Sequence, residues 1–141
     1  MAIHADVTEQ NKELAREEFA SAWNGGSFDP AWYTAEFVYH GAMPEPLDYD
    51  GYVEAVSAFR TAFPDMDKQV RACLGEDDRV LVQYDVTMTH EGELMGVEAT
   101  GESVDATGMV LYRFEDGRIA EGWINYDALG IMQQIGAVPR P

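Results

Sequence analysis

The chain has 141 residues, 46% of them hydrophobic, and carries a formal net charge of −17, from 26 acidic against 9 basic side chains. Such a field repels phosphate backbones and anionic lipid surfaces, which argues against nucleic acid and membrane partners; the length fits one domain, residues 1–141, around a single core. With Cys73 as the lone cysteine, neither an internal disulfide framework nor a zinc site with cysteine partners is available.

The N-terminal stretch Met1 to Arg16 is polar and acidic, where a secretory leader is basic and then apolar. No apolar run approaches the roughly 20 residues of a membrane helix. The expected location is therefore the cytoplasm. Lysine is scarce, with only Lys12 and Lys68, beside abundant Asp and Glu; that balance also suits solubility in concentrated salt, where surface repulsion is strongly screened. His4 lies in this polar stretch and is expected to be disordered or exposed.

From about Thr8 to Trp23 the chain reads as an amphipathic helix, with Leu14, Ala15, Glu18, Phe19, Ala22 and Trp23 near helical spacing and Thr8 or Asp6 as cap. Asn24-Gly25-Gly26 ends it. A short helical turn from Asp29 to Tyr33, with Pro30 at a favourable first position, leads into extended Phe37–His40. Gly41 to Asp48, with prolines at 44 and 46, is a loop. Asp50 is expected to cap a second helix, whose apolar positions Tyr52, Val53, Val56, Phe59, Ala62 and Phe63 recur at three and four before Pro64 stops it.

Extended segments follow at 68–74, 80–90, 104–114 and 118–126, with hairpin turns at Glu76-Asp-Asp-Arg79 and Glu115-Asp-Gly-Arg118. Helices followed by a run of strands indicate an α+β domain with helices laid over one face of a curved sheet. Alternation assigns Val80, Val82, Tyr84, Val86, Met88 and His90 to the interior. Gly108, Val110 and Tyr112 then pair with Gly122, Ile124 and Tyr126. Met109, Leu111 and Trp123 make the opposite face apolar as well, which points to a homodimer interface.

The order Ala22-Trp23-Asn24, Ala62-Phe63-Pro64-Asp65, Thr89-His90-Glu-Gly92, Gly96, Thr100-Gly101, Asp116-Gly-Arg-Ile119, Trp123, Asp127 and Gln134-Ile-Gly136 resembles the SnoaL-like cyclases of the nuclear transport factor 2-like superfamily. The resemblance implies a cone-shaped α+β barrel: three N-terminal helices on a curved, mainly antiparallel sheet, and a short C-terminal helix. It also implies a dimer, a pocket for a small hydrophobic molecule, and no metal or organic cofactor. Family members close polyketide rings with one pocket aspartate as acid and base. Here that aspartate's position falls on Ile124 and a nearby pocket histidine's on Gly122, and a hydrocarbon side chain moves no proton.

Acid–base work must then come from other groups. His40, His90 and Asp127 are the catalytic candidates, because an imidazole exchanges protons near neutral pH. His40 precedes the proline loop, at a pocket rim or simply at a strand end; His90 ends the long strand, inward or at a solvent-facing turn. Asp127 stands four residues after Trp123, as a base or as the cap of the final helix. Tyr33, Phe59, Tyr84, Met88, Tyr112, Ile124 and Tyr126 are the expected substrate-binding surface. A cofactor-free cyclase, isomerase or hydratase and a non-catalytic binding module are both open readings.

Overall fold

A computed structural model describes residues 2–140, with side chains from Asp6 onward, and its elements follow the expected order. Helix α1 spans Ala2–Trp23, starting earlier than its apolar pattern indicates; the side chain of His4 lies outside the described residues. A single 3₁₀ turn, Pro30–Trp32, is capped by Asp29, whose carboxylate accepts from the Ala31 amide. Then come β1 (Tyr33–His40), α2 (Tyr49–Ala62), β2 (Asp67–Glu76), β3 (Arg79–Thr89), β4 (Ser103–Glu115), β5 (Arg118–Tyr126) and α3 (Ala128–Gln134).

The strands form one sheet in the order β1-β5-β4-β3-β2, antiparallel except where β1 runs parallel to β5. The sheet is open, with β1 and β2 as its edges, which refines the barrel implied by the resemblance. Part of the β1 edge is covered by the proline loop, since Tyr39 and Leu47 exchange backbone hydrogen bonds of 2.8 Å each. The β4–β5 turn has positive φ at both Asp116 (50°) and Gly117 (78°), the backbone a two-residue hairpin with native twist requires. Among the described residues no helix is long and apolar enough to cross a membrane.

The second helix is capped by Asp48 rather than Asp50. Asp48 has the extended backbone a cap needs, and its Oδ1 accepts from the Gly51 amide at 2.9 Å; Asp50 sits in the first turn, where a carboxylate faces the positive end of the helix dipole. Alternation along the sheet holds as read. Val80, Val82, Tyr84, Val86, Met88 and His90 are all buried, and Gly108, Val110 and Tyr112 pair with Tyr126, Ile124 and Gly122. Helix α1 lays Ala15, Glu18, Phe19, Ala22 and Trp23 onto this inner face.

Candidate functional site

The apolar stripe of α1 carries one carboxylate, Glu18, into the core, where no part of it meets solvent. Three phenols converge on it from three elements. Tyr33 and Tyr52 donate to Oε2 at 2.5 and 2.7 Å, and Tyr112 donates to Oε1 at 2.9 Å. Burial pushes Glu18 above the usual carboxylate range, opposed by these three hydroxyls and by the nearby charge of Lys68.

Lys68 reaches the same interior through an irregularity in its strand. Counted without interruption from the Glu76–Arg79 pair, the β2–β3 register would set Lys68 opposite Thr87, on the outer face. The register shifts between Val70 and Ala72, leaving Arg71 as an extra residue, and Lys68 pairs instead with inward-facing Val86. Its backbone is fastened to the end of α1: Asn24 Nδ2 donates to the Lys68 carbonyl (2.9 Å) and the Lys68 amide donates to Asn24 Oδ1 (2.7 Å). The Nζ atom lies 3.3 Å from the centroid of the Trp23 ring, 4.4 Å from that of Tyr84 and 5.3 Å from that of Phe19. Burial draws the Lys68 amine well below its ordinary value, with the charge of Glu18 pulling the other way.

Lys68 forms part of the wall of a partly open apolar cavity, with Trp23, Phe59, Met88, Ala106, Ile124 and Tyr126 among its neighbours. The space open to the centre of a water-sized sphere is about 30 Å³, enough for about one or two water molecules. A second void of about 30 Å³ shares Phe59, Tyr126 and Ile131 with the first and reaches Met95 and Met132. Met95 is 62% exposed, so the second void lies between the Lys68 cavity and the surface beside the 94–97 loop. The interior is therefore a narrow, largely filled cleft rather than a roomy cup.

The structure separates the three residues read as catalytic candidates. His40 faces away from the cavity: its Nε2 lies 2.7 Å from Glu121 Oε2 and its ring stacks on Trp123 at 5.4 Å, on the outer face of the sheet. Strand parity is the reason, because the adjacent Tyr39 takes the inward position. His90 is fully buried as its strand position indicates, yet it does not line the cavity. Its Nδ1 accepts from the Thr100 amide at 3.3 Å and lies 2.9 Å from Thr100 Oγ1, while Nε2 sits without a partner beside Phe63. Asp127 caps α3, accepting from the Gly130 amide at 2.9 Å.

Of the expected binding surface, Phe59, Tyr84, Met88, Ile124 and Tyr126 do line the cavity. Tyr33 and Tyr112 do not; they serve Glu18. At Gly122 an added Cβ would lie 2.7 Å from the Tyr39 ring, so Tyr39 fills the space a larger side chain at 122 would occupy. The Glu18–Lys68 pair was not singled out from the sequence. A glutamate inside an apolar helical stripe was the available signal for Glu18; Lys68 gave none, because the extra residue that turns it inward has no sequence mark.

The sequence profile of the SnoaL-like polyketide cyclases matches residues 13–135. Among solved structures, AclR, a candidate hydroxylase from Streptomyces galilaeus, is 28% identical with a TM-score of 0.81, over 95% of this chain and 85% of that one. IdmH, a candidate polyketide cyclase from Streptomyces antibioticus, is 26% identical with a TM-score of 0.77, over 90% and 99%. A candidate SnoaL-like polyketide cyclase from Jannaschia sp. CCS1 is 26% identical with a TM-score of 0.79, over 94% and 96%. No curated protein matches at a significant level. With the profile spanning α1 to α3 and the same fold recurring in these structures, the chain belongs to the SnoaL-like polyketide cyclase family.

Proposed function

We propose that the protein binds a small hydrophobic molecule in the cleft and acts on it by cofactor-free acid–base chemistry, a cyclisation, isomerisation or hydration. Lys68, backed by Glu18, takes the role that the aspartate at position 124 plays in the polyketide cyclases. The observation that carries this reading is the Lys68 amine in the wall of an otherwise apolar cavity, beside the phenols of Tyr84 and Tyr126. Burial lowers the proton affinity of this amine below its ordinary value, the direction in which acid–base catalysis uses a lysine. Ligand entry joins the two voids and displaces the loop at Met95.

Native mass spectrometry and quenching of tryptophan fluorescence by 2-naphthol test the binding step. The wild-type chain is expected to bind the probe, and Ala106→Leu, which fills the cavity, is expected to lose it. Equal binding by both would sink the reading. Ile124 in the cavity wall favours a second reading, a carrier without chemistry; turnover of any substrate that stops in Lys68→Arg while binding persists decides against the carrier.

The outer sheet face is the proposed contact with a second copy of the chain. Met109 is 45% exposed there, beside Leu111 and half-buried Trp123, and an apolar patch on a solvent-facing sheet favours self-association. Sedimentation of Trp123→Ala is expected to show a folded monomer where the unsubstituted chain is a dimer. A wild-type monomer at all concentrations would remove this partner.

A further inference from the structure

The surroundings of the Lys68 amine suit one form of nitrogen better than the others. An ammonium carries three N–H donors and no acceptor, and those of Lys68 point among ring faces and the cavity space rather than at protein oxygens. Around Nζ there are ring faces, at 3.3, 4.4 and 5.3 Å to the centroids. Among the described residues no carboxylate lies within 4 Å of it and no oxygen accepts a hydrogen bond from it, although the backbone of the same residue is fully bonded to Asn24. Aromatic faces stabilise a cation without needing its protons, and the carboxylate of Glu18, saturated by its tyrosines, adds a negative potential from farther away.

An iminium fits this box. It keeps the positive charge for the rings and for Glu18, and it has one N–H to satisfy in place of three. We infer that Lys68 captures an aldehyde or ketone in the cleft as a covalent iminium; this rests on the cleft being a binding site, as proposed above, and assigns its substrate class as carbonyl compounds. The nitrogen lone pair attacks the carbonyl carbon, forming the C–N bond while the π pair moves to oxygen. Before that attack the ammonium gives one proton to water in the cleft; after it the oxygen takes one proton from the nitrogen and then the proton that water holds, and it leaves as water when the C–O bond breaks, so that one N–H remains. The balance is one ammonium and one carbonyl to one iminium and one water, with no change of oxidation state.

The apolar wall supports the step in two ways. Burial lowers the proton affinity of the amine, which favours its nucleophilic form, and the wall limits the water that would reverse the condensation. Once formed, the iminium withdraws electrons from the adjacent carbon and loosens its C–H bond. This supplies by covalent means the carbanion stabilisation that ring closure or isomerisation needs at a site whose position 124 is a hydrocarbon.

The test uses the full chain with butanal and sodium cyanoborohydride, which reduces an iminium to a stable secondary amine, followed by digestion and mass mapping. The expected result is one butyl group on Lys68, accumulating several-fold faster than on Lys12, which is half-buried and paired with Glu9 outside the cleft, and lost in Ala106→Leu, which leaves the amine in place but fills the space before it. Butylation confined to Lys12 and the α-amino group would overturn the inference. If the same preparation still binds 2-naphthol, only the iminium fails and the cleft remains a binding site; if it binds neither, both fall.

Discussion

Glu18→Leu is expected to lower the stability of the fold by about 3–5 kcal/mol, because three buried hydroxyls lose their common acceptor. The carboxylate is the shared acceptor of Tyr33, Tyr52 and Tyr112, and each hydroxyl left buried without a partner costs about 1–3 kcal/mol. Burying the leucine returns only about 1.5–3 kcal/mol. Lys68 also loses its nearest counter-charge. Glu18→Gln keeps the volume and one carbonyl acceptor but turns one acceptor into a donor, so its loss should be smaller, about 1–2 kcal/mol. Urea unfolding followed by circular dichroism measures both. A leucine variant within about 1 kcal/mol of wild type would mean that the tyrosines find other partners.

Alkaline solution should unfold this protein abruptly. Tyr33, Tyr39, Tyr52, Tyr84 and Tyr112 are buried, and burial pushes each phenol above its ordinary value of 10.0, with the charge of Glu18 adding to the rise at all but Tyr84. The folded state thus keeps five protons that the unfolded chain gives up above pH 10. Their contribution is fully present below that pH and is lost above it, at about 1.4 kcal/mol per pH unit for each group. Five groups give about 7 kcal/mol per unit, comparable with the whole stability of a typical domain. Lys68 acts in the opposite sense, since its folded value lies below 10.5: it adds stability as pH rises toward 10.5 and nothing beyond. Above that point the phenols govern alone. Tyrosinate absorbance should therefore appear for these five of the seven tyrosines only as the circular dichroism of the fold disappears, and ionisation of all seven near pH 10 in a still-native protein would disprove it.

The parts of the architecture that were legible are those that local pattern determines. Period-two alternation from Val80 to His90 marked the inner face, and Asp116-Gly117 marked the turn, although the register of β4 on β5 is set beyond it, where Ala120 is extra. The cap of α2 was misplaced by two residues because Asp48 and Asp50 have the same side chain, and only backbone shape tells a cap from a first-turn residue. The site was less legible for a different reason. Its phenols come from positions 33, 52 and 112, which no sequence window holds together, and its amine is turned inward by a one-residue slip at Arg71. His40 and His90 drew attention by their chemistry, yet strand parity sends one outward and Thr100 engages the other. Residue type proposed reactive groups; register decided which of them face the cleft.

The ring of Tyr39 seated on Gly122 imposes an order on change. Any side chain that arrives at 122 while residue 39 is still aromatic meets carbon within 3 Å at its first atom. An imidazole there becomes permissible only after 39 has shrunk, and a carboxylate at 124 arriving alone would stand in the cleft without that companion. A lineage, or a designer, seeking to convert this cleft to the aspartate-driven reaction must therefore travel through 39 first; the reverse sequence of steps is a dead end.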